Sequence, residues 1–144
     1  MSDKGRTRRP WLRRLLRPRE DRGSASAELV VAAPLLLLTL MAIVQFALWS
    51  HATHIAQSAA SRGLATARVQ DGTSTAGSEA AQRVLDQLAA GPLRNATVTS
   101  ERGADRAAVA VRGVATPVLP FLSLPVHAEA TGPVERFVPD LESG

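Results

Sequence analysis

The sequence predicts an α+β fold anchored in a membrane: a long N-terminal transmembrane helix, a short second helix, then a small antiparallel sheet of three to four strands. Three observations predict it. From Leu29 to Trp49 the chain reads LVVAAPLLLLTLMAIVQFALW, and no formal charge occurs between Leu29 and Ser61. From Ser50 to Arg68 small and apolar residues recur at the helical period of 3.6. Past residue 95, short segments alternate apolar and polar residues between turn signals. A chain of 144 residues holds one modest domain. The expected divisions are a basic cytoplasmic leader (1–23), a transmembrane and extended helix (24–68), a linker (69–77) and a small extracytoplasmic α+β domain (78–144).

The leader concentrates the charge. The whole chain carries +4, but residues 1–22 hold nine basic and three acidic residues, while the remainder is slightly acidic. Six arginines and Trp11 fall between positions 6 and 17. A cluster of this kind beside a membrane span is topogenic or binds anionic lipid, so nucleic acid is not an expected partner.

The apolar run has the length of a membrane span. Twenty-one residues at about 1.5 Å each cover about 32 Å, against a bilayer core of about 30 Å. Only Pro34, Thr39 and Gln45 interrupt it. Pro34 removes a helical donor and invites a bend. Trp49 stands at the far end, where an indole meets headgroups. Arg13, Arg14, Arg17, Arg19 and Arg22 precede the span, and nothing basic but His51 and His54 follows before Arg62. The positive-inside rule then puts the N-terminus in the cytoplasm and the C-terminal domain outside. A cleaved secretory signal fits poorly, because its apolar region is shorter and its A-x-A site follows that region. Here Ala25-Ser26-Ala27 precedes it.

The junction reads Arg22-Gly23-Ser24-Ala25-Ser26-Ala27-Glu28. A glycine after a basic stretch, with glutamate five residues on and an apolar run at once behind it, resembles the processing site of type IV prepilins and pseudopilins. That resemblance implies a membrane aspartyl peptidase cutting after Gly23, so that Ser24 becomes the N-terminus and Glu28 the fifth residue. The spacing makes physical sense. A glutamate at the lip of an apolar helix is costly to bury unpaired, and a new α-amino group on Ser24 lies one helical turn away. With Pro34 and the leucine run that follows, the segment is similar to the start of TadE-like pseudopilins of tight-adherence (Tad/Flp) pilus systems. Ala27 stands where valine is common, Leu29 where an aromatic is common, and Gln45-Phe46 where many members have Glu-Phe. The resemblance covers about residues 22–68. It implies a pilin-like layout, a prepilin peptidase, other pilins or pseudopilins and pilus assembly machinery as partners, and a homo- or hetero-oligomer.

After the span, Ala52, Ala56, Ala59, Ala60, Gly63 and Ala67 form a small-residue stripe. Small residues four apart let helix backbones approach closely. With Pro34 they are the expected helix-packing positions, against the chain's own domain or against neighbouring subunits. His51 and His54 lie three apart without an acidic companion, unlike the H-E-x-x-H zinc pattern. No phosphate loop, nucleophile elbow or dinucleotide fingerprint occurs. With no cysteine, disulfides and thiolate chemistry are excluded. No catalytic, cofactor-binding or metal residues are expected.

The outer domain follows from punctuation. Gln70–Gly77 is turn-rich, Ser78 is a candidate N-cap with Glu79 in the first turn, and Gly91-Pro92 closes the helix. Strands are expected at Ala96–Glu101, Arg106–Val114 and Val126–Ala130, with Val134–Val138 as a possible fourth. Residues 102–105 form the hairpin turn.

The expected function is that of a structural or assembly subunit, with no enzyme activity. The expected place is the cell membrane, single-pass, or the pilus and cell surface after processing. The alternative is a membrane-anchored extracytoplasmic binding or scaffold module, in which Gly23 and Glu28 are coincidental.

Overall fold

A computed structural model describes residues 21–135, with side chains from residue 28 onward. Most of the leader, Phe137 and the acidic tail lie outside the described residues. The elements are α1 (Asp21–Arg68), α2 (Ser74–Leu88), β1 (Leu93–Arg102), β2 (Arg106–Ala115) and β3 (Pro125–Pro133). The chain divides into two compact units, residues 1–39 and 40–144, and α1 contributes to both.

In the first unit the described residues are all helical, and the helix continues unbroken through Pro34. Leu and Ala, without an interior glycine past Gly23, give the segment good helical propensity, and the β-branched Val30 and Val31 reduce it only slightly. These side chains are not packed. Leu29, Val30, Val31 and Leu36 are each at least 70% exposed, and Leu35, Leu37 and Leu38 are exposed beside them. Four successive residues complete a helical turn, so 35–38 present leucine on every side. The Thr39 hydroxyl donates to the Leu35 carbonyl at 2.8 Å, which satisfies it within the helix.

The second unit lays helices on one face of a three-stranded antiparallel sheet ordered β1-β2-β3. Ala107, Val109 and Val111 of central β2 point inward, with Val126 and Ala128 of β3 beside them. Ala52, Ile55, Ala56, Ala59, Ala60 and Ala67 of α1 and Ala81 and Leu85 of α2 close the same core. Side chains this small bury little area each, at about 0.8 kcal/mol per methylene. Close backbone approach takes the place of bulk. One such approach brings α1 against α2 and β2: a Cβ on Gly63 would sit 2.8 Å from the Gly77 carbonyl oxygen and 3.0 Å from both Ala81 Cβ and Val109 Cγ1.

That contact corrects the expected start of α2. The helix begins at Ser74, with Thr73 as N-cap in place of Ser78. Thr73 has extended φ −126 and ψ 159, and its hydroxyl accepts the Ala76 amide at 3.0 Å. The expected linker is thereby shortened, and Gly77 lies inside the helix, where its missing side chain admits α1. Glu79 moves to the second turn, where the helix dipole is weak. At the other end the Ala89 amide closes on the Leu85 carbonyl at 2.7 Å, and Gly91 reverses the chain at φ 121.

The strands run slightly longer than the alternation implies. A bulge between Arg94 and Thr97 puts Asn95 at φ 52, a conformation asparagine tolerates. The hairpin turn closes with the Gly103 amide on the Arg106 carbonyl at 2.8 Å. The described sheet has three strands. Val134 and Glu135, expected to begin a fourth, are not in a strand: their amides donate to the Asp105 and Arg68 carbonyls at 3.0 and 2.8 Å. Arg102 is more than a turn residue. Its guanidinium donates to the Ala67 carbonyl and, at 3.1 Å, to that of Val69, satisfying the C-terminal end of α1.

Candidate functional site

Gly23 and Ser24 lie on the helical backbone of α1, and Glu28 is exposed at the edge of the bare apolar surface. Within α1 the stretch Glu28–Arg68 contains an 18-residue window of mean hydropathy 2.5, of which only 6% is buried in the protein. A core helix of a soluble protein has the same composition but is covered by its own chain. A helix apolar on all sides and left uncovered needs a non-aqueous surrounding. Pro34 is exposed on this surface.

The remaining packing positions behave differently. Ala52, Ala56, Ala59, Ala60, Gly63 and Ala67 are buried by the chain's own sheet and α2. While this fold stands, they are closed to a neighbouring subunit. The period-3.6 stripe is therefore the seam between α1 and its own domain.

Gln45 joins helix and domain. It is 1% exposed, one of the largest fully buried side chains. Its Oε1 accepts the amides of Val118 at 2.6 Å and Leu119 at 3.3 Å, and its Nε2 donates to the Thr116 carbonyl at 3.3 Å. One side-chain amide thus satisfies three backbone groups of the β2–β3 loop. One turn later the Trp49 indole donates to the Pro125 carbonyl at 3.1 Å, and its ring lies 5.8 Å from that of Phe46. Thr116 closes the loop base by donating its hydroxyl to the Gly91 carbonyl. The sequence marks Gln45 only as a polar break in the apolar run. The available signal was its cost: a lone amide in such a run must find partners.

Gln45→Leu, which keeps the volume, strands two loop amides and the Thr116 carbonyl and is expected to cost about 2–4 kcal/mol. Thermal unfolding of the detergent-solubilised chain should fall accordingly, and proteolysis within 116–124 should accelerate. An unchanged melt and digest would show that the loop does not depend on this clamp.

The open face of the sheet is polar and solvated. Thr99, Glu101, Arg112 and Glu129 surround Ala108 and Ala110 in a shallow depression. Arg112 donates from Nε to His127 Nδ1 at 3.4 Å, and His127 Nε2 stands 3.9 Å from Glu129 Oε2. Exposed pairs of this kind are worth little. Among the described residues, no three His, Asp or Glu side chains gather as metal ligands. His51 and His54 are both exposed on α1.

The class defined by these features is a small α+β domain carried on a bare apolar helix. The family model described as TadE-like protein matches residues 23–64. No curated protein and no solved structure matches the chain.

Proposed function

We propose that this chain is a minor pseudopilin of a Tad/Flp-type pilus or related secretion system, a structural or assembly subunit without enzyme activity. The carrying observation is the TadE-like match, which starts at Gly23 and takes in Glu28 and the uncovered helix. In this reading the chain crosses the membrane once. The arginine-rich leader stays in the cytoplasm and the α+β domain lies outside, as the charge asymmetry favours. A prepilin peptidase cuts between Gly23 and Ser24, and the Ser24 amine pairs with Glu28 of the same chain or of a neighbour. Other pilins and the assembly machinery are its partners. No cofactor, metal or nucleic acid is required.

Deleting the chain from its host is expected to abolish or strongly reduce surface pili, as counted by electron microscopy, with restoration by the full-length protein. Normal piliation in the deletion strain would remove this role and favour the membrane-anchored binding module.

A further inference from the structure

In the loop joining β2 to β3, one turn sets residue type against backbone geometry. The Leu122 amide donates to the Leu119 carbonyl at 3.3 Å, closing a four-residue turn with Pro120 second and Phe121 third. Phe121 has φ 73, a conformation in which the third position of such a turn favours glycine or asparagine. A phenylalanine there gains nothing for folding, because its ring is fully exposed at 105%. Val118 and Leu122 are exposed beside it. From Gly113 to Val126 the chain carries no charged residue.

The attachment of this loop sets its level on α1. Gln45 holds its first half and Trp49 the Pro125 carbonyl at its end. These two residues are one helical turn apart, about 6 Å, and both fall inside the apolar run 29–49. Around them on α1, Leu40, Ile43, Val44 and Phe46 are exposed. The apolar tip is therefore fastened beside helix residues that themselves need a non-aqueous cover. Phe46, Trp49 and Phe121 are the aromatic residues of the described chain, and all belong to this helix–loop region. Trp rings mark the level where an apolar helix leaves the bilayer, and Trp49 puts this region at that level, with the two phenylalanines as its apolar companions.

The geometry points to residues 117–122 as a second membrane contact: Val118, Phe121 and Leu122 insert among the acyl chains of the leaflet from which α1 emerges. This rests on the membrane-anchor reading above. Lipid covers the tip because Gln45 and Trp49 fasten the loop at the level of the uncovered helix residues Leu40, Ile43 and Phe46. A domain held by both a helix and a loop cannot turn freely about the helix, so the polar sheet face keeps one direction relative to the bilayer.

The chain has no cysteine, so Phe121→Cys supplies a single thiol for a nitrobenzoxadiazole label. Leu122→Cys repeats the measurement with the phenyl ring kept, and Glu101→Cys marks the opposite end of the β1–β2 hairpin. Each full-length protein is reconstituted into phosphatidylethanolamine–phosphatidylglycerol vesicles, and flotation is read first. Labels at 121 and 122 are expected to shift to the blue and to lose emission when lipids doxyl-labelled near the top of the acyl chain are added, while the label at 101 does neither. Floating protein without quenching at 121 and 122 would overturn the loop contact and leave the anchor intact. A blue shift without lipid quenching would overturn it in favour of a protein neighbour. Protein that fails to float would remove the anchor and the loop contact together.

Discussion

Gly63→Leu is expected to destroy the cooperative fold of the second unit. A single methyl at this position would lie 2.8 Å from a backbone oxygen of α2 and 3.0 Å from two buried side-chain carbons. Gly63→Ala alone should cost about 1–3 kcal/mol by overpacking. Leucine puts three further carbons into the same space, and the obstacle is backbone rather than a side chain that can turn away. Gly77, facing it, is equally closed: a Cβ there would meet Ala67 Cβ at 2.7 Å. A core made mostly of alanine and valine has little reserve, because each side chain buries little area. Hydrogen exchange at Val109 and Val111, in the central strand, is the sensitive readout, since it reports the sheet of the second unit and not the helicity of α1. Loss of protection there is expected for Gly63→Leu and not for Ser61→Ala, an exposed position on the same helix. Retained protection in Gly63→Leu would mean that α1 and α2 do not meet as described.

Glu28→Gln is expected to abolish piliation while leaving the protein inserted and at least partly processed. Glutamine keeps the shape of the side chain and removes its charge. In the proposed assembly this leaves the Ser24 amine without a partner at the edge of an apolar surrounding. Removing one member of a buried pair costs about 3–5 kcal/mol, a hundredfold or more in an association constant. Glu28→Asp keeps the charge one methylene short and should be milder. Glu79→Gln, on the exposed side of α2, should change nothing. Crosslinking between subunits is best read from cysteines at exposed Leu36 and Leu40. Ala56, Ala60 and Gly63 are buried in the chain's own core. Normal pili and crosslinks in Glu28→Gln would reduce Glu28 to a marker of the membrane edge.

Much of this architecture was legible in residue order. The uncharged run 29–49, the period of the Ala52–Ala67 stripe and the alternation of Ala107, Val109 and Val111 each correspond to an element of the fold. What periodicity could not supply was the identity of the surface each stripe meets. Alanine and glycine four apart serve a neighbouring subunit and the chain's own sheet equally well, and only the tertiary structure covers them with β2 and α2. Gly77 misled for a related reason. In a Gly- and Thr-rich stretch it reads as linker, yet it is a contact glycine within a helix, and that helix is capped by Thr73 upstream of it rather than by Ser78 behind it. Gln45 was visible as an anomaly but not as a clamp, because its three partners lie 71 to 74 residues away. Gly23 and Glu28 were legible as a motif, and the role proposed for them is chemical rather than architectural.

The measurement that bears most directly on the account is the intact mass of the membrane-extracted protein, expressed with and without a prepilin peptidase. A shortened chain beginning at Ser24 is expected only when the peptidase is present, and a full-length chain in both cases for Gly23→Val, whose branched side chain crowds a pocket shaped around glycine. An unshortened native chain, or a processed chain beginning at any other residue, would contradict it.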